Sequence, residues 1–210
     1  MSRPALPAKR IASARRARFF ASRPACAAAK PRAGSLARLA AVIGAAVLLG
    51  ALAGCTPALD WRDARPSGSA LQLLFPCKPS AQQRELQLAG QSVKLSLHAC
   101  TAAGQTWGLA YADMGEVSKV AGALDELLHS AAANLGAATA LGTRQLIPGA
   151  SPEALSQRAQ IDGRLPDGTS VRMQCIVFAR GTLVYQLSAL GQTLDQDAVQ
   201  TFIESIRFAP

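Results

Sequence analysis

The chain has 210 residues and a formal charge of +9, which leaves room for one domain or two small ones. Ten of its 22 Lys and Arg precede Cys55 and none of its 13 acids does; from Cys55 onward 12 basic residues meet 13 acidic ones, a net of −1. That remainder has no basic field to neutralise phosphates, and nucleic-acid binding is excluded.

The N-terminal part reads as an address. Residues 1–38 hold the ten positive charges among scattered Pro and Gly, a composition that cannot build a packed core. Leu39 to Gly54 (LAAVIGAAVLLGALAG) is uncharged and apolar. Wound as a helix it spans about 24 Å, short of the roughly 30 Å of a hydrocarbon core. A basic region, a short apolar run and small residues at its end describe a secretory signal over residues 1–54. Its last four residues, Leu52-Ala53-Gly54-Cys55, resemble the bacterial lipobox and match it at every position. The resemblance implies diacylglyceryl transfer to the Cys55 thiol, cleavage before Cys55, and acylation of the new amino terminus. The plainer alternative is an uncleaved anchor helix with a chance cysteine.

Acyl chains on one residue hold a protein to a bilayer, each buried methylene contributing about 0.8 kcal/mol. Thr56, rather than Asp, follows the cysteine. By the same resemblance this favours the periplasmic side of the outer membrane over the inner one. Arg15-Arg16 ahead of Phe19-Phe20 is one residue off a twin-arginine signal and lies far from the apolar run. The basic region is long for a signal, which fits a true start further downstream.

Residues 55–68 carry two Pro and little apolar periodicity, and are expected to form a lipidated tether. Trp61 within it is expected to be exposed or to rest at the membrane interface. Residues 69–210 are then a single domain, long enough to bury roughly two thirds of its unfolded surface. Ala70 to Phe75 reads as a strand ended by Pro76 and Pro79. Glu85 to Leu88 alternates, Ala89-Gly90-Gln91 turns, and Val93, Leu95, Leu97 and Ala99 oppose Lys94, Ser96 and His98. Thr101 to Gly104 turns into a strand with Trp107, Leu109 and Tyr111 on one face, completing an antiparallel meander.

A helix is expected over Val117–Leu135, with Val120, Leu124, Leu127, Leu128, Ala131 and Leu135 as its apolar stripe and Gly136 at its C-terminal cap. A strand at Ala140–Leu146, a loop around Pro148-Gly149, and an alternating strand at Ser156–Leu165 follow. Pro166-Asp167-Gly168 marks a turn. Val171, Met173, Cys175 and Val177 line one face of the next strand, and Leu183–Ser188 returns after Arg180-Gly181. A last helix spans Asp195–Ile206, with Asp195 as N-cap. The order is α+β: an antiparallel sheet of two meanders with two helices packed on it.

Phe75-Pro76-Cys77-Lys78-Pro79 ahead of the first meander, Gly181 to Gln186 (GTLVYQ) in the second, and Phe202-Ile203-Glu204-Ser205-Ile206 in the last helix carry a further resemblance. Together they resemble the PsbP-like α/β/α sandwich over about residues 69–209. An extrinsic subunit of photosystem II, a yeast Ran-binding import factor and many bacterial lipoproteins of unknown function share that fold. The resemblance implies a binding or assembly role with no shared catalytic residues, so no site is carried over.

Of the five cysteines, Cys26 leaves with the signal and Cys55 takes lipid, leaving Cys77, Cys100 and Cys175 in an oxidising compartment. Three cannot all pair. Cys77–Cys100 is the expected disulfide because each closes a strand of the first meander; another pairing, or none, stays open. Cys175 on an apolar strand face reads as a small hydrophobe. No CxxC or HxxxH spacing points to a metal, and no cofactor is implied.

His98 and His129 read as surface or core-edge residues rather than as catalysts. Asp125 and Glu126 point in different directions along the helix, and Trp107 with Tyr111 reads as core. No nucleophile elbow, phosphate loop or metalloprotease motif occurs. The expected function is a membrane-anchored, non-catalytic binding or assembly module, its partners the membrane and an envelope protein. Two alternatives stay open: a carrier of a small apolar ligand or lipid, and an enzyme assembled from scattered residues such as His98, Asp113 and Arg144.

Overall fold

The computed structural model describes residues 58–209. The expected signal, residues 1–54, and the expected lipidation residue Cys55 lie outside them.

Strands follow the alternations, and tight turns punctuate them. The first meander is β3 (Ser80–Leu88), β4 (Gln91–Ala102) and β5 (Gln105–Asp113). Its two hairpins close on Ala89-Gly90 and Ala103-Gly104, where both residues of each pair have positive φ, between 48° and 75°. That is the primed turn whose twist suits antiparallel strands. The second meander is β6 (Thr143–Arg144), β7 (Gln157–Arg164), β8 (Ser170–Arg180) and β9 (Leu183–Gly191). The two join where β5 pairs with β9, Tyr111 opposite Tyr185, giving one antiparallel sheet in the order β3-β4-β5-β9-β8-β7-β6.

Helix α1 (Val117–Asn134) lies between the meanders in the chain and covers one sheet face. Its stripe of Val120, Ala123, Leu124, Leu127, Leu128 and Ala131 is buried against Val93, Ala110, Ile161, Val177 and Val184. The helix stops in a Schellman motif: Gly136 at φ 63° lets its own N–H reach the Ala133 carbonyl and that of Ala137 reach Ala132. The chain end of α1 rests on β7 at Gly163. A Cβ there would stand 2.3 Å from the Leu135 carbonyl oxygen, which accepts the Arg164 N–H at 2.8 Å.

The other sheet face is covered by α2 (Gln196–Glu204) and a second sheet. Asp195 caps α2, its carboxylate accepting the Ala198 N–H at 3.1 Å. The second sheet has three strands in the order β1-β2-β10: β1 (Arg62–Ala64), β2 (Leu71–Phe75) and β10 (Arg207–Phe208). Leu71, Leu73 and Phe75 of β2 pack with Trp107, Phe178, Tyr185 and α2's Phe202. The result is three layers of α+β class, with two helices on a sheet of two meanders as the sequence patterns imply.

Three elements differ from the sequence reading. Within the stretch expected to be a tether, residues 60–64 fold back: Arg62 pairs with Phe75, and the Asp60 N–H donates to the Pro76 carbonyl at 2.9 Å. Trp61 packs edge-on against Trp107 at 6.5 Å, so an indole expected to be exposed or at the membrane is half-buried in the fold. Strand β2 leaves the meander for the covering layer, because Pro76, Pro79 and a disulfide break the run before β3. The strand expected at Ala140–Leu146 shrinks to Thr143–Arg144, since nothing covers its outer side and Leu141 and Leu146 are left exposed.

Candidate functional site

Cys77 and Cys100 form a disulfide with Cα atoms 5.9 Å apart. It ties the chain just past β2 to the end of strand β4. Cys175 is the free cysteine among the described residues, buried on the α1 side of β8. Burial pushes its thiol up to about 11, which holds it as the neutral thiol at neutral pH.

The scattered polar residues do not converge. His98 on β4 stacks on Tyr111 at 5.9 Å, and burial holds its pKa below the usual value. Asp113 ends β5, where hydrogen bonds from Thr182 and the Gly115 N–H hold its carboxyl below the usual range. Arg144 sits on β6, five strand spacings from His98, roughly 24 Å across the sheet. His129 bonds the Asp125 carbonyl one turn back at 2.7 Å. Glu126 accepts the Ala89 N–H at 2.7 Å, whereas Asp125 faces Gln157 on β7, so the two acids do point apart. Trp107 and Tyr111 are core. Among the described residues no three His, Cys, Asp or Glu side chains cluster as a metal site.

Two surfaces stand out. One is an open cleft of about 1180 Å³ at the β7–β8 turn, between Leu135, Arg164, Pro166 and Gln196. Its charges are already partnered: Arg172 pairs with Asp162 at 2.6 Å and Arg164 donates to the Gly168 carbonyl.

The other surface lies at the opposite corner, around the loop from Gln145 to Ser156. That loop is pinned to the β8–β9 turn, the Ser151 N–H donating to the Ala179 carbonyl and the Gly181 N–H to the Ser151 hydroxyl. Val117, Leu146 and Leu155 around it are 70%, 80% and 56% exposed. Three adjoining hollows share its walls. One of about 320 Å³ is floored by Val117, Val120, Ala121 and Ala154. A smaller one of about 110 Å³ lies between Leu146 and Leu155. The third, about 580 Å³, has Ile147, Pro148, Ile203 and Ile206. Glu153, Arg144 and Arg207 rim the apolar ground. Large apolar side chains left in water and ringed by charge are the pattern of a docking surface. The sequence reading missed this site, because Val117, Leu146 and Leu155 are written like core residues and nothing in the sequence marks them as exposed.

No family of known proteins matches this chain, and no curated protein sequence matches it significantly. No helix among the described residues is long and apolar enough to cross a membrane.

Proposed function

We propose that this chain is a lipid-anchored, non-catalytic binding or assembly module on the periplasmic side of a bacterial outer membrane, held by acylated Cys55 and related in fold to PsbP-like sandwiches. The observation that carries the binding role is the corner where Val117, Leu146 and Leu155 stand exposed around one pinned loop. The lipobox match at Leu52–Cys55 and the disulfide-bonded Cys77 and Cys100, a pairing suited to an oxidising compartment, support the location. The three-layer arrangement supports the PsbP-like reading.

A photo-crosslinking residue placed at Leu155 in intact cells tests it. The expected outcome is a discrete adduct with one envelope protein, absent when the same group replaces Gln192 at the other end and lost in the Val117→Asp background. Equal labelling from both ends, or none from Leu155, contradicts the reading. The 320 Å³ apolar hollow at Val120 and Ala121 favours a second reading, a carrier of a small apolar ligand. Saturable uptake of an apolar dye, abolished by Ala121→Phe, is its mark.

A further inference from the structure

The folding back of residues 60–64 changes how far this domain can stand from a bilayer. A free tether over residues 55–68 would reach roughly 50 Å, at about 3.6 Å for each residue. Asp60 is instead bonded to Pro76, and Trp61 is wedged against Trp107. Only residues 56–59 separate Cys55 from the fixed backbone. Five Cα steps limit that distance to about 18 Å.

The point of attachment is rigid as well. Pro76 is followed by Cys77, and the disulfide fastens this corner to β4 beside the Ala103-Gly104 turn. Its surface suits headgroups. Trp61 keeps part of its indole exposed there, and such a ring prefers the membrane–water interface. The exposed Lys78 forms no salt bridge among the described residues, while the nearby Asp60 carboxylate is taken up by Arg62. The apolar corner lies roughly 17 Å further along the strands and about 14 Å across them, counting residues and strands from Cys100 to Ala179.

We infer that the Cys77–Cys100 end of the domain is a membrane-contact surface for an anionic lipid bilayer, with Trp61 at headgroup level and Lys78 facing lipid phosphate. The inference rests on acylation of Cys55. It turns the Val117–Leu155 corner away from the membrane, where a periplasmic partner can reach it.

The test uses the full chain purified from membranes and reconstituted into phosphatidylethanolamine–phosphatidylglycerol vesicles carrying a headgroup-attached fluorescent acceptor. One donor dye is attached at Gln192→Cys, on the anchor end, and in a second preparation at Leu155→Cys; buried Cys175 does not compete for label. Energy transfer is expected to be several times larger from position 192. A long Gly/Ser spacer inserted after Thr56 should erase the difference, and Lys78→Glu should shrink it. Equal transfer from the two positions, or more from 155, in protein whose first-peptide mass shows acylated Cys55 overturns the contact surface alone. Transfer from neither position, with no acyl mass on Cys55, overturns the anchoring reading and the inference with it.

Discussion

The two faces of the seven-stranded sheet are covered by different means. On the α1 side the covering element is one helix of 18 residues, and the packing is mostly Leu, Val and Ala, with Met114, Ile161 and Cys175 and no aromatic ring among the described residues. On the other side lie all eight aromatic residues of the described chain: Trp61, Phe75, Trp107, Tyr111, Phe178, Tyr185, Phe202 and Phe208. A long helix satisfies its own backbone and needs only small side chains to approach closely. The strands β1, β2 and β10 and the nine-residue α2 cannot stand alone, so large rings must hold them. Phe202 meets both Phe75 and Trp107 edge-on at about 5 Å. The Tyr111 and Tyr185 hydroxyls donate to the Ser67 and Ser69 carbonyls at 2.7 and 2.6 Å, fastening the loop before β2. Burial pushes the Tyr185 hydroxyl up to about 12, which keeps it a donor.

If the rings carry the covering layer, Phe202→Ala should be the most damaging change of this comparison. It should cost about 3–5 kcal/mol in denaturant unfolding, against about 1 kcal/mol for Ala131→Gly in α1. Equal losses would break the contrast. Replacing both cysteines of the Cys77–Cys100 pair with Ser should cost about 3 kcal/mol, because a loop of 23 residues is released in the unfolded chain. Hydrogen exchange in that variant should rise first in β1 and β2, with α1 unchanged.

The helix side has its own weak point. Gly163→Ala drives a methyl into the Leu135 carbonyl, and the α1 end must lift from β7. A loss of about 1–3 kcal/mol is expected, read as a lower melting midpoint. The same substitution at Gly122, whose added Cβ would meet only Ala89 at 3.8 Å, should be neutral or slightly stabilising.

The smallest effect is on pH. Burial lowers the folded pKa of His98 below 6.5, so as pH falls through that value the unfolded chain takes up a proton that the folded one resists. The stability linked to His98 is therefore present above pH 6.5 and is lost below it. Asp113, Asp162 and Asp167 are also held low, but they add their losses only below about pH 4. Unfolding midpoints compared at pH 7.5 and 5 should fall in the parent and flatten in His98→Gln.

What the sequence made legible follows from periodicity. Trp107, Leu109 and Tyr111 alternate against Ala110 and Ala112, which fixes both faces of β5, and the α1 stripe and its Gly136 stop are local signals. What stayed hidden has no period. Strands β1 and β10 have three and two residues, too short to alternate, and exist only because β2 offers them backbone partners. The departure of β2 from the meander is a choice between neighbours that alternation cannot express. The Cys77–Cys100 pairing was expected between two strands of one meander; the bridge instead ties the chain just past β2, in the covering sheet, to β4 of the seven-stranded one. The exposed corner was not legible, since an isolated Leu at 146 or 155 carries no mark of its accessibility.

The most direct measurement of the central claim is the mass of the first peptide of the native protein extracted from cell membranes. The account predicts a chain that begins at Cys55, with diacylglyceryl on its sulfur and an acyl group on its amino nitrogen. A chain that begins upstream of Gly54 and keeps a free thiol at position 55 would contradict it.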